Sequence, residues 1–353
     1  MNRFTDQANE IRSGEGLDVK KLQTFLRQEL DLTEPIHVKQ FPSGYSNLTY
    51  LIECEEQDFV LRRPPFGANI KTAHDMSREF RILESLMEVY EKVPFPLLYC
   101  DDESIIGAPF YMMERVEGII LRKEAPEGLT LDSMFMKYLS QNFIDNLVAI
   151  HQIDLVETEL EDLGFPEGYV ERQIKGWAKR YVNAKTDEVP EVEAVAEWLS
   201  KNLPKESGMA LIHNDYKYDN LVLDAETFDI KAVLDWEMAT IGDPLMDLGT
   251  SLGYWVDPND PDELQQMRFC LTDLPGNLNR AQLIERYAET TGRTLDHALF
   301  YYVYGLFKII VIIQQIYKRY KSGHSQDERF ANLIHGVIAL GKAAQRAIQN
   351  NSI

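Results

Sequence analysis

The sequence predicts an α+β chain of two lobes, a small β-rich lobe over residues 1–116 and a large helical lobe over 117–353. Three observations predict it. Short strand-like runs bounded by Pro, Gly or acidic residues crowd the N-terminal third. From Asp132 onward, apolar residues recur mostly at helical spacing. One polar strand–loop–strand unit, "ALIHNDYKYDNLVLD", interrupts that helical part. A chain of 353 residues is long enough to give each lobe its own core.

Taken in order, "LDVKKLQTFLRQEL" places Leu22, Phe25, Leu26 and Leu30 on one helical face. "IHVKQF", "LTYLIEC" and "DFVLRR" read as strands, and "TAHDMSREFRILESLMEVYE" as an amphipathic helix. "PLLYC" and "PFYMMERV" complete a sheet with one inserted helix. The joint falls near Glu117-Gly118. Helical runs follow at "DSMFMKYLSQNFIDNLVAIHQ", "ERQIKGWAKRYV", "EVEAVAEWLSKNL", "RAQLIERYAETTG", "HALFYYVYGLFKIIVIIQQIYKRY" and "ERFANLIHGVIALGKAAQRAIQN", broken by strands at "ALIH", "NLVLD" and "IKAVLDWE". Asp243-Pro244 reads as a helix N-cap with Pro at the first helical position.

The bulk numbers exclude several functions. A net charge of −21 is the wrong sign for a nucleic-acid binder or for docking on anionic membranes. Cys54, Cys100 and Cys270 are odd in number and lack a CxxC pair, which fits neither a disulfide framework nor a zinc site. The polar N-terminus lacks a signal-peptide apolar core. The most apolar stretch is broken by Lys308, Gln314 and Gln315 and reads as a buried helix rather than a membrane span. A cytoplasmic location is expected.

"HNDYKYDN" has the pattern H-x-D-x-x-x-x-N, and Asp235 of "VLDWE" follows 15 residues after Asn220. This is the spacing of a kinase catalytic loop and its metal-binding aspartate. Phosphoryl transfer needs a carboxylate that orients the acceptor hydroxyl and accepts its proton, the part of Asp215. It also needs oxygen ligands for Mg2+ on the nucleotide phosphates, the part of Asn220 and Asp235. Lys217 is a candidate to touch the transferring phosphate, with a solvated lysine as the open alternative. His213 orders the loop by hydrogen bonding, Asp219 is local structure, and Glu237 either supports the metal through water or pairs with a basic neighbour. Upstream, Ser43, Gly44, Tyr45, Ser46 and Asn47 form a polar turn between strands where backbone N–H groups could approach phosphates. Arg62 lies where a kinase carries its phosphate-gripping lysine, with neighbouring Arg63 as the alternative register and Glu79 as its helical ion-pair partner. "MMERVEG" resembles a hinge whose Glu114 and Val116 backbone would hydrogen-bond adenine.

On "SGYSNLTY", "FVLRRPP", "SREFRIL", "MERVEG", "HNDYKYDNLVLD", "VLDWEMATIGDPLMDLGTSL" and the "GWAKRY" region, the chain resembles the aminoglycoside phosphotransferase and choline kinase superfamily. Within it, the likeness is to kinase-like domains associated with acyl-CoA dehydrogenases. The resemblance implies a protein-kinase-like fold, ATP, Mg2+ and transfer of the γ-phosphate to a hydroxyl on a small molecule. It also implies that Asp247 braces the catalytic loop. Trp236-Glu237 replace the Phe-Gly of protein kinases, and no Ala-Pro-Glu segment follows, which disfavours a protein substrate. A hydroxyacyl-CoA or hydroxy acid is the expected acceptor, partly because Arg172, Lys175 and Lys179 share one helical face. The alternative is a catalytically inactive nucleotide-binding pseudokinase; the intact Asp215, Asn220 and Asp235 argue against it. An H-x-D iron(II) oxygenase would need a distal ligand from His297, His324 or His335, all in or beside helical segments rather than barrel strands.

Overall fold

The structure, a computed structural model, describes residues 4–42, 47–66, 75–324 and 327–353. Two compact units emerge, one of Met1–Ile120 with Leu221–Glu237, the other of Leu121–Asn220 with Met238–Ile353. In the first, α1 (Val19–Glu29) precedes an antiparallel sheet of β1 (His37–Gln40), β2 (Leu48–Glu53), β3 (Phe59–Arg63), β4 (Pro96–Cys100) and β5 (Phe110–Glu114), in spatial order β1-β2-β3-β5-β4. The expected helix is α2 (Met76–Leu86), started by Asp75, whose carboxylate accepts from the Arg78 N–H. A single turn, α3 (Glu103–Ile106), precedes β5 and was not expected. Tyr50, Ile52, Leu61, Phe110 and Met112 from the sheet pack with Leu22 and Leu26 of α1 to form this unit's core.

The second unit opens with α4 (Ser133–His151), α5 (Tyr169–Ala184), α6 (Pro190–Lys201) and β6 (Ala210–Ile212). The chain then enters the first unit for β7 (Leu221–Leu223) and β8 (Ile230–Val233). It returns for β9 (Thr240–Gly242), α7 (Pro244–Tyr254), α8 (Asp262–Gln266), α9 (Arg280–Thr291), α10 (Ala298–Lys321) and α11 (Leu333–Asn350). Asp243 caps α7 as expected, accepting from the Leu245 N–H at 2.9 Å. α10 is long and apolar enough to cross a membrane by length and composition, but 78% of its apolar window is buried inside the protein.

The expected boundary of 1–116 against 117–353 needs one correction. Leu221–Glu237 belongs with the sheet unit. Ile119 bridges Leu223, the Val233 N–H donates to the Lys92 carbonyl at 2.8 Å, and Trp236 packs edge-on against Tyr90. Gly118 permits this, since a Cβ there would overlap the Leu223 carbonyl.

α7 and α10 touch backbone to backbone at Gly249 and Gly305, where a Cβ on either would overlap the opposing main chain. Helices that close cannot spread without disturbing everything packed on them. Gly305→Ala is therefore expected to destabilise by about 1–3 kcal/mol, read as a lower urea midpoint with an unchanged slope.

Candidate functional site

In the sheet unit, alternation along β3 gives Arg62 and Arg63 opposite faces. Arg63 spends its guanidinium on the carbonyls of Pro64 and Ile106, at 3.0 and 2.8 Å. Arg62 reaches Asp235 Oδ1 at 2.7 Å, Glu79 Oε1 at 3.4 Å and Glu237 Oε2 at 3.9 Å. Asn47 donates to Glu237 Oε2 at 2.6 Å. Arg62 and Glu79 are both buried. Burial works against the Arg62 charge, but Glu79, Tyr111, Asp235 and Glu237 more than offset it and hold its pKa well up. Burial pushes the Glu79 carboxyl up to about 7, against the pull of Arg62.

Asp235 follows β8 in a left-handed conformation, φ +69°, unusual for a residue other than Gly. The turn is pinned by Trp236, whose indole N–H donates to the Val233 carbonyl at 2.9 Å. Glu114 ends β5, and Val116 packs beside Ile120 and Val222. Ser43, Gly44, Tyr45 and Ser46 lie outside the described residues.

In the helical unit, the polar loop leaves β6 and is held almost entirely from beneath. Asp247 on α7 accepts from the backbone N–H groups of His213 and Asn214, both at 2.7 Å. It also meets His151 Nε2 at 3.1 Å, and His151 Nδ1 meets the Tyr287 hydroxyl at 2.8 Å. Burial would raise the Asp247 pKa, yet the hydrogen bonds and charge from His151 and His213 hold it below the usual carboxylate range. His213 is fully buried and its Nδ1 accepts from the Asp215 N–H at 3.2 Å. Asn214 sits at φ +66°, and Lys308 donates to its carbonyl at 2.5 Å and its side-chain oxygen at 3.2 Å. That accounts for the lysine inside an apolar helix, whose pKa burial lowers to about 8.

Asp215 itself accepts from three side chains. Oδ2 receives Lys217 Nζ at 2.8 Å and the Asn220 amide at 3.1 Å. Oδ1 receives the Tyr254 hydroxyl at 2.8 Å. Asn220 also donates to the Asp215 carbonyl at 2.9 Å. The Lys217 charge is thus committed to Asp215, with Asp219 at 3.8 Å.

These residues suit the groups their types imply. Asn220 spends its amide hydrogens on Asp215, which directs its oxygen away as a metal ligand requires. Asp235 and Glu237 bring two carboxylates beside one guanidinium, a surplus of negative charge that favours a divalent cation. Among the described residues, no group of three or more His, Cys, Asp or Glu side chains forms a metal cage by itself. Magnesium characteristically takes only one or two carboxylates and completes its shell with phosphates and water.

Tyr254, Lys308 and His151 were not anticipated as parts of this site. Lys308 alone carried a signal, as a charge within an apolar run.

Residues 37–276 match the phosphotransferase enzyme family. The chain is 35% identical over 295 residues to acyl-CoA dehydrogenase family member 10 of Mus musculus, covering 83% of this chain and 27% of that protein. It is 32% identical over 335 residues to acyl-CoA dehydrogenase family member 11 of Homo sapiens, covering 92% and 42%. The chain therefore spans well under half the length of these relatives. Among solved structures, a Ralstonia eutropha protein provisionally described as an aminoglycoside phosphotransferase superposes with a TM-score of 0.79 at 26% identity, over 95% of this chain and 99% of that one. Spectinomycin phosphotransferase bound to ADP and spectinomycin superposes with a TM-score of 0.60 at 14% identity, over 93% and 98%. A thermostable aminoglycoside phosphotransferase with AMP-PNP and hygromycin B gives 0.60 at 16%, over 93% and 98%. The fold is protein-kinase-like, with a small antiparallel-sheet lobe and a helical C-terminal part.

Proposed function

Since this chain belongs to the phosphotransferase enzyme family, we propose that it is an ATP- and Mg2+-dependent kinase that moves the γ-phosphate to a hydroxyl of a small molecule. The observation that carries this reading is the Asp215 carboxylate. It is presented by a loop braced through Asp247, Asn214 and Lys308, and oriented by Lys217, Asn220 and Tyr254.

In this reading Asp215 orients the acceptor hydroxyl and takes its proton as the new P–O bond forms. Lys217 keeps the carboxylate aimed and supplies positive charge where the phosphoryl group transfers. Asn220 and Asp235 are the residues that would hold Mg2+, which when bound neutralises phosphate charge. Arg62, oriented by Glu79, grips the phosphates; a guanidinium keeps its charge and offers a fork where a lysine offers a point. From the resemblance alone, Ser43, Gly44, Tyr45, Ser46 and Asn47 are assigned to the nucleotide phosphates, and the Glu114 and Val116 backbone to adenine. We place this activity in the cytoplasm.

For the acceptor we propose an acyl-type hydroxy compound, a hydroxyacyl-CoA or hydroxy acid. The relatives carrying acyl-CoA dehydrogenase names support this choice. The basic face of α5 supports it less than the sequence suggested. Arg172 is bonded to the carbonyls of Phe165 and Glu167, and Lys175 to Glu171 at 2.5 Å, so much of that charge is already spent. A panel of hydroxyacyl-CoAs, free hydroxy acids, choline and aminoglycosides tests the assignment. Turnover is expected to be highest on a hydroxyacyl compound; highest turnover on an aminoglycoside would refute it.

A further inference from the structure

A carboxylate offers about four acceptor positions. On Asp215, the two at Oδ2 are taken by Lys217 and Asn220, and one at Oδ1 is taken by Tyr254. Among the described residues no other side chain donates to this carboxylate, so a single position on Oδ1 is left for an incoming O–H. Lys217 and Asn220 belong to the loop itself. Tyr254 comes from the last residue of α7 and reaches the carboxylate from outside the loop. It is nearly buried, its ring edge-on to Phe269 at 5.2 Å with the Lys217 ammonium 5.0 Å from its centre. Packed that way, the phenol cannot easily swing aside for a substrate, and its burial keeps it protonated as a donor.

A base with two open positions accepts a small mobile hydroxyl donor in several poses. A base with one accepts it in one. Water is the smallest such donor and the natural competitor for the γ-phosphate. We propose that Tyr254 is a specificity-determining residue that closes the second Oδ1 position of Asp215 and so suppresses phosphate transfer to water. This rests on the reading of Asp215 as the base. In the suppressed reaction, a water oxygen bonds to the γ-phosphorus and the bond from that phosphorus to the bridging oxygen of ADP breaks. The water proton passes to Asp215 and then to solvent, leaving ADP and inorganic phosphate.

Tyr254→Phe deletes only the hydroxyl and keeps the ring contacts. ATP hydrolysis is measured with Mg2+ and no acceptor, beside the Mg·ATP-induced shift in melting temperature. The variant is expected to keep the melting shift and to hydrolyse ATP about tenfold faster than the parent protein. Loss of a merely structural hydrogen bond would leave hydrolysis unchanged or lower it, and either result, with the melting shift intact, overturns the proposal. The doubly substituted Tyr254→Phe/Asp215→Asn protein separates the two readings. It should lose the gained hydrolysis. If the gain persists there, water is not activated by Asp215, and both the proposal and the base assignment fall. If Mg·ATP shifts the melting of neither the parent nor the variant, the kinase reading fails and carries the proposal with it.

Discussion

Asp215→Asn is expected to lower phosphate transfer by roughly 10²- to 10⁴-fold while leaving Mg·ATP affinity within about twofold of the parent. The substituted side chain fits the same hydrogen bonds. Its amide oxygen can still accept from Lys217 and Asn220. Its NH2 then faces Tyr254, whose phenol can turn from donor to acceptor. The loop beneath is fixed independently, through Asp247 and Lys308. What is lost is the ability to take a proton. Initial rates with the best acceptor, set beside a calorimetric Mg·ATP titration, check this. Turnover within threefold of the parent would remove Asp215 from the role.

Arg62→Met is expected to act first on stability, costing about 3–5 kcal/mol near neutral pH, the usual penalty for breaking a buried ion pair from one side. The guanidinium is the common partner of Glu79 and Asp235, and Glu79 is fully enclosed. Without it, the Glu79 carboxyl has a higher pKa in the folded state than in the parent, because Arg62 no longer pulls it down, while its unfolded value is unchanged. The parent carboxyl is already raised to about 7, so the folded variant binds more protons than the folded parent only as pH rises through that value, and its stability falls relative to the parent there. The gap between the two denaturant midpoints should be constant below about pH 6 and widen toward pH 8. A gap that does not depend on pH would show that Arg62 contributes by packing rather than charge. Arg62→Lys should recover part of the stability, since it restores a cation but not the fork.

The sequence reading was strongest where local chemistry dictates structure. Asp243 announced its helix as a side-chain cap, and it caps it. The five strands of the sheet were bounded by Pro, Gly and acidic turns and were found where expected. The run from Asp215 through Asn220 to Asp235 was legible as a polar loop followed by two short strands, and the structure has that loop between β6 and β7 and Asp235 just after β8. Which of Arg62 and Arg63 meets Glu79 and Asp235 was not, because a period of two says only that neighbours face apart, not which face carries those carboxylates. Tyr254 was invisible for a related reason. In "GTSLGYW" a tyrosine reads as core, and it is largely buried, but its hydroxyl reaches a loop almost 40 positions earlier in the chain. Lys308 was conspicuous as a charge among isoleucines, yet nothing local indicated that its partner would be the Asn214 carbonyl. The placement of Leu221–Glu237 depends on tertiary pairing with Ile119 and Lys92, which no local pattern encodes.

That same segment has a consequence for how the chain is made. The sheet unit cannot be completed when its first 120 residues leave the ribosome, because β7, β8 and Asp235 are encoded on the far side of the first half of the helical unit. At ~5–20 residues per second, roughly 5–25 s pass before they emerge. Through that interval the nascent sheet carries Arg62 and Glu79 without Asp235, and Gly118 without the strand it is shaped to receive. During synthesis, then, the sheet unit stays open to chaperones and proteases until that segment arrives, although most of it is translated before the helical unit.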